Sequence, residues 1–257
     1  MDDKKFLDKP DRWQVLRSVT NARVGLGRAG DSLPTGAMLA FQRDHAQARD
    51  AVHTPLDADE IMAQITAQGM DVLRLHSAAD SRTTYLKRPD LGRRLSDESR
   101  RALELLAAHA QYDAAFVIAD GLSALAVQRH AAALFNLAAG ALRSMGLTIA
   151  PVVIVEQGRV AIGDEIGGIL HAEQVAVLIG ERPGLSAADS LGVYLTYGPR
   201  PGRTDAERNC ISNIHGQGLS YDAATQTLVY LMTEARRRKL TGVALKDDRD
   251  SSPLLAE

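Results

Sequence analysis

The chain has 257 residues, with 30 basic and 32 acidic side chains and a formal net charge of -2. At roughly 150 residues per domain this length fits one compact α/β unit with an arm, and it buries enough surface to hold a core without a disulfide or a metal. The charge balance excludes a strongly basic nucleic-acid binder, and aromatic side chains at 4% are too few for base-stacking platforms.

Apolar residues make up 45% and charged residues 24%, the balance of a globular chain rather than a disordered one. Cys210 is the sole cysteine, so no intrachain disulfide and no Cys-rich zinc site can form, which fits a reducing compartment. The opening MDDKKFLDKPDRW has neither the apolar region nor the cleavage site of a secretory signal. Apolar runs such as Ala114 to Ala119 fall far short of the ~20 residues that span a bilayer.

In chain order, residues 1–31 are polar and charged and end in Gly25-Leu-Gly-Arg-Ala-Gly30, with Trp13 to Val19 reading as a helix. Residues 32–110 read as helices with loops. Ser32 is a candidate N-cap with Pro34 in the first turn, and a break falls at Thr54-Pro55. Ser96 is a second N-cap, with Asp97 and Glu98 at the positive helix end. Leu103, Leu106, Ala107 and Ala110 follow at helical spacing.

Residues 114–246 alternate short apolar runs with helical patterns. Phe116 to Ala119 predicts a buried strand that ends at Asp120-Gly121. Val127, Ala131, Leu134, Ala138, Leu142 and Met145 step by three and four, and Gly146 suits the position just past the helix end. Val152 to Val155, Val175 to Ile179 and Val193 to Tyr197 are further strands. Ala224, Leu228, Leu231 and Ala235 mark a last helix closing in Arg236-Arg-Arg-Lys239, and Gly242 to Leu245 reads as a closing strand. Strands apolar on both faces, alternating with helices, specify a parallel sheet with helices on both faces. Such sheets bind ligands at the carboxyl ends of their strands, here Asp120-Gly-Leu-Ser123 and Glu181-Arg-Pro-Gly184.

Several motifs carry candidate chemistry. Gly25-Leu-Gly27-Arg-Ala-Gly30 matches GxGxxG, but a helix rather than a strand leads into it, so a flexible Gly-rich connection is favoured over a dinucleotide site. At Asp120 to Ser123, free N–H groups could hold a phosphate or carboxamide oxygen, or the segment is simply a capped turn. Cys210-Ile-Ser-Asn-Ile-His215 offers a Cys–His nucleophile pair, weighed against a buried, inert cysteine, which is favoured. The histidines lack metal-ligand spacing. Arg93-Arg94 and Arg100-Arg101 are solvated faces or contacts to an acidic partner.

The sequence resembles the small-subunit (light-chain) family of ethanolamine ammonia-lyase. The resemblance rests on Ala22-Arg-Val-Gly-Leu-Gly-Arg-Ala-Gly30, Tyr85-Leu-Lys-Arg-Pro-Asp-Leu-Gly-Arg-Arg94, Ile118-Ala-Asp-Gly-Leu-Ser123, Gly180-Glu-Arg-Pro-Gly-Leu185 and Cys210-Ile-Ser-Asn-Ile-His215, in order along roughly residues 11–245. It implies a Rossmann-like domain over 111–246 and a helical N-terminal arm over 1–110 that packs on a partner subunit, whereas the tail over 247–257 reads from its own residues as polar and frayed. The implied reaction is the adenosylcobalamin-dependent radical conversion of ethanolamine to acetaldehyde and ammonia. The corrinoid would lie between this chain and a TIM-barrel large subunit, which binds the substrate, so no catalytic residue is assigned here. The implied cofactor contacts are Val160, Glu181 and Cys210.

Cobalamin enzymes that bind cobalt through a protein histidine carry Asp-x-His-x-x-Gly. Here Asn213 stands two residues before His215 and Ile169 two before His171, and no histidine follows an aspartate at that spacing. Base-on binding, with the cofactor's own benzimidazole as lower ligand, is therefore expected, and no metal ligand is assigned. The resemblance also implies a cytoplasmic hetero-oligomer, free or inside a bacterial microcompartment. Longer relatives use an N-terminal extension for targeting, and this chain begins shortly before the matching region. The competing readings are a stand-alone α/β enzyme acting on a phosphorylated small molecule, and a purely structural subunit.

Overall fold

The computed structural model describes residues 13–20, 22–107 and 111–249. Ala110, the chain before residue 13 and the tail beyond residue 249 lie outside them. The centre is a six-stranded sheet in the order β1-β3-β2-β4-β5-β6. Its strands are β1 (Val72–His76), β2 (Tyr112–Ala119), β3 (Val152–Glu156), β4 (Ala172–Gly180), β5 (Leu191–Tyr197) and β6 (Asn209–Ile214). β1, β3, β2 and β4 run parallel. β5 is antiparallel to β4, and β6 to β5, an extension that the apolar pattern does not predict. Its cause is the connection: β4 reaches β5 through the loop 181–190 with no crossover helix, and only a crossover returns the chain parallel.

Successive side chains of the central strands serve two cores, as the two-residue period of a strand requires. Phe116, Ile118, Ala176 and Leu178 face one core with α3 (Ala58–Thr66), α6 (Ala124–Ser144) and α8 (Tyr221–Arg238). Ala115, Val117, Ala119, Val175 and Val177 face the other, with α5 (Asp97–Ala107) and α7 (Ile162–Ile169). The fold is thus α/β with helices on both faces of the sheet. β1, α3 and α5 belong to this body, so the boundary expected after residue 110 falls inside it. What stands apart is α1 (Gln14–Val19), which buries no residue, and α2 (Thr35–His53), which buries only Ala51.

Local chemistry sets the element ends. Ser123 caps α6 by accepting from Ala126 N at 3.2 Å, and Gly146, at φ +78, turns the chain just past its end. Ser96 accepts from Ser99 N at the start of α5. α2 starts one residue beyond Pro34 with no side-chain cap. Ser32 instead makes a β-bridge with Ala29, so it does not cap the helix as expected. α8 ends on Lys239 in the left-handed conformation. The expected strand at Gly242 to Leu245 is a short 3-10 turn over Gly242–Ala244. The start of the tail is held: Arg249 pairs with Asp247, donates to Thr227 Oγ1 at 2.6 Å and lies over the Tyr230 ring.

β6 is locked to the far face of the sheet by a buried ion pair. Arg208 donates from Nη1 and Nη2 to the two carboxylate oxygens of Asp164 in α7, at 2.6 and 2.7 Å, with both side chains 2% exposed. Removing one partner of such a pair leaves a buried charge unpaired, at a cost of roughly 3–5 kcal/mol.

Candidate functional site

β2 is followed in sequence by β3 on one side of it and then by β4 on the other. That reversal opens a crevice at the carboxyl ends of the parallel strands. Three turns build it: Asp120 to Ser123 after β2, Gln157 to Val160 after β3, and Glu181 onward after β4. The backbones here touch closely. A Cβ at Gly121, whose φ is +59, would collide with Gly180 O, and one at Gly180 would collide with Ser123 O.

Asp120 ties two of the turns together. It is 2% exposed, and its Oδ1 accepts from Gly121 N and from Gly158 N, each at 3.0 Å. Arg82, in α4 (Arg82–Lys87), reaches the same point from a third direction. Its Nη1 donates to Gly121 O at 2.8 Å and lies 3.5 Å from Asp120 Oδ2, while Nε donates to Val52 O at 2.7 Å. Burial pushes the Asp120 carboxyl up to about 6, against the opposing pull of Arg82 and the backbone N–H donors.

Two N–H groups of this turn are committed to the protein: Gly121 N to Asp120, and Leu122 N to Gly180 O at 2.9 Å. Ser123 Oγ accepts from Ala126 N and donates to Ala188 O. The segment is therefore a capped turn. Two of the donors that a phosphate at this point would use are thus already taken, which counts against the stand-alone phosphoester reading. Gly25, Gly27 and Gly30 all take positive φ in the connection between α1 and α2, and among the described residues a helix rather than a strand leads in.

Above the turns lies a cleft of 440 Å³. Val160 and Glu181 both line it, together with Tyr85, Arg159 and Tyr194. Val160 is half-buried in the turn before α7, and its carbonyl accepts from Gly163 N. Glu181 is half-buried at the end of β4, with Oε2 accepting from Ser190 Oγ at 2.5 Å and from Asn213 N at 3.2 Å. Its Oε1 has no hydrogen-bond partner among the described residues and lies where a Cβ on Gly192 would crowd it.

Cys210 does not line the cleft itself. It stands on β6 directly across from Tyr194, which does. Burial and then the Cys210 thiol raise the Tyr194 hydroxyl well above the ordinary tyrosine value. Cys210 is exposed, contrary to the buried, inert cysteine favoured from its surroundings in sequence, because β6 turns Ile211 and Ile214 inward and leaves Cys210 and Ser212 outside. Its Sγ is 3.1 Å from Ser212 Oγ. His215 instead donates from Nε2 to Asn213 Oδ1 at 2.8 Å, so the Cys–His pair does not form. Among the described residues no group of three or more His, Cys, Asp or Glu side chains is placed to hold a metal ion.

Arg82 and Tyr85, on α4, escape a reading by strand ends, and they meet Arg159 of the turn after β3. Tyr85 is 1% exposed, its hydroxyl donates to Gly158 O, and burial pushes it up to about 12. Both guanidiniums lie over its ring.

The chain is thus an α/β protein with a doubly wound sheet and an open cleft at its switch point, the place where such folds take ligands. The family model for the ethanolamine ammonia-lyase light chain matches residues 10–246. The chain is 57% identical over 247 residues to the ethanolamine ammonia-lyase small subunit of Xanthomonas campestris pv. campestris (strain B100), covering 95% of this chain and 90% of that one. It is 56% identical over 248 residues to the small subunit of Ralstonia nicotianae, covering 96% and 92%. It is 55% identical over 245 residues to that of Pseudomonas fluorescens (strain SBW25), covering 94% and 88%. The chain belongs to the ethanolamine ammonia-lyase light-chain family.

The raised Asp120 carboxyl has a signed consequence. Between the ordinary aspartate value of 3.8 and about 6 the folded chain holds a proton that the unfolded chain has released. Stability therefore falls as pH rises through that window. Asp120→Asn, which keeps an oxygen acceptor, should abolish this slope. In urea titrations, the stability difference between the variant and the parent should shift by about 2 kcal/mol from about pH 4 to about pH 6 in the variant's favour. A difference that does not change with pH contradicts the assignment.

Proposed function

We propose that this chain is the small subunit of an adenosylcobalamin-dependent ethanolamine ammonia-lyase, and that its switch-point cleft forms one wall of the corrinoid site. The observation that carries this reading is the convergence of Val160 and Glu181 on one cleft, with Cys210 beside its Tyr194 wall. The substrate pocket and the other wall belong to a large subunit, and no catalytic residue is assigned to this chain.

The chemistry of the cleft suits a corrinoid, which presents an apolar ring edged by neutral carboxamides. A drug-sized ligand fills a cleft of roughly 300–1,000 Å³. A corrinoid is larger than that, so a cleft of 440 Å³ covers part of it and leaves the rest to a partner. Glu181 Oε1 is a free charged acceptor for an amide N–H or a ribose hydroxyl, stronger than a neutral one. Ser190 and Asn213 N hold its other oxygen, so the acceptor is fixed before the ligand arrives. Val160 gives apolar contact, and Cys210 is small enough to let the ring approach.

When bound, adenosylcobalamin supplies the radical that takes a hydrogen from ethanolamine. This chain's residues bind and orient it, and base-on binding needs no histidine from them. The N-terminal region packs on the large subunit. This accounts for Val15, Val19 and Leu39, which are 75%, 76% and 59% exposed on helices that bury almost nothing. No helix among the described residues is long and apolar enough to cross a membrane, and the proposed location is the cytoplasm, free or in a microcompartment.

The test is reconstitution with a matching large subunit, adenosylcobalamin and ethanolamine. Acetaldehyde should form at a rate far above that of the large subunit alone, and an equal rate refutes the reading. Base-on binding is tested in the same complex loaded with cob(II)alamin. Labelling the protein's histidines with nitrogen-15 should leave the superhyperfine pattern of the electron paramagnetic spectrum unchanged, whereas an altered pattern contradicts it.

A further inference from the structure

Arg159 is placed as no surface arginine needs to be. It lines the cleft, half-buried, and its guanidinium carbon stands 4.3 Å from the centre of the Tyr85 ring. The one hydrogen bond of its side chain within the described residues runs from Nη2 to Tyr85 O at 3.1 Å. Nε is buried with no partner, and none of the ion pairs among the described residues involves Arg159. The second guanidinium on the same ring, Arg82, stands 4.7 Å from its centre and has an unpartnered buried Nη2. Two cations thus share one aromatic ring, and the carboxylate among them is Asp120, which faces Arg82. The other carboxylate of the cleft, Glu181, is tied to Ser190 and Asn213 N.

A guanidinium taken out of water without a carboxylate is costly, and each charged donor left unsatisfied adds to that cost. The ring offsets part of it. The turn also holds the side chain in place, since a Cβ on Gly92 would strike Arg159 Cγ and Arg159 N donates to Gly92 O at 2.7 Å. The missing element is an oxygen acceptor carrying negative charge, arriving from the cleft. Resting on the corrinoid reading of this cleft, we infer that Arg159 binds the phosphodiester of the cofactor's nucleotide tail, the anionic group on the periphery of that ligand, with Tyr85 and Arg82 as positioning residues.

The test uses the complex with the large subunit and two probes: cyanocobalamin, and dicyanocobinamide, which has the corrin ring but no phosphate-bearing nucleotide tail. Affinities are read by equilibrium dialysis for the parent, Arg159→Gln and Arg159→Lys, after sedimentation shows that each complex has assembled. Arg159→Gln should weaken cyanocobalamin by ~tenfold or more while leaving dicyanocobinamide unchanged. Arg159→Lys, which keeps the charge but not the fork, should fall between. Equal weakening of both probes, or of neither, overturns the inference. If the parent complex binds dicyanocobinamide as tightly as cyanocobalamin, the tail is not held and the inference again fails, with the corrinoid reading intact. If the parent binds neither probe, the corrinoid reading itself fails. If Arg159→Gln does not assemble, the Arg159→Lys comparison decides: cyanocobalamin weakened alone supports the inference, and any other pattern overturns it.

Discussion

The arrangement of this protein depends on the Asp120 carboxylate, buried where three strand ends meet. One oxygen receives the N–H of the residue after it and the N–H of Gly158 across the sheet, so the turns after β2 and β3 cannot move independently. Gly180 packs against the same turn with no room for a side chain on either backbone. Val160 follows two residues after Gly158, and Glu181 follows Gly180 directly. Their separation is therefore a consequence of backbone contacts beneath the cleft rather than of their own side chains. Burying a carboxylate is costly, and its raised proton affinity records that cost.

The antiparallel strand β5, with β6 behind it, gives the cleft a second wall at Tyr194. Because the chain turns back through the loop 181–190, Tyr194 comes alongside Val177 of β4, with Cys210 on its far side. That loop is held at several points. Glu181 binds Ser190 and the backbone of Asn213, Ser123 donates to Ala188 O, and Arg129 donates to Asp189 at 2.7 Å. His130, between Asp189 and the Tyr221 hydroxyl, is kept below the ordinary histidine value by burial. A wall fastened by α6, α8 and β6 together is pre-formed, and a ligand that binds it need not meet the ordering cost of a free loop.

The central part of this fold was legible in the amino-acid order. β2, β3 and β4 are compact apolar runs stopped by Asp-Gly, by Gln-Gly and by Glu-Arg-Pro-Gly, and the Ser123 cap and Gly146 exit bound α6 as helix chemistry requires. The edges were not legible. β1 carries an exposed Arg74 that pairs with Glu156 and Asp59, and β6 alternates Cys210 and Ser212 with Ile211, so neither shows the continuous apolar run of a central strand. α7 holds three glycines in eight residues, which hides its helical period. Among the candidate site residues, Glu181 follows from its place at a strand's carboxyl end, whereas Val160 and Cys210 are named on family resemblance. The Arg82–Tyr85–Arg159 cluster joins α4 to a turn more than 70 residues away, a juxtaposition that no local pattern encodes.

The most direct measurement is an electron cryomicroscopy map of the complex between this chain and its large subunit with cobalamin bound. The account predicts corrin density against Val160 and Glu181, within a side chain's reach of Cys210. Density for the corrinoid lying wholly within the large subunit, or against another face of this chain, would contradict it.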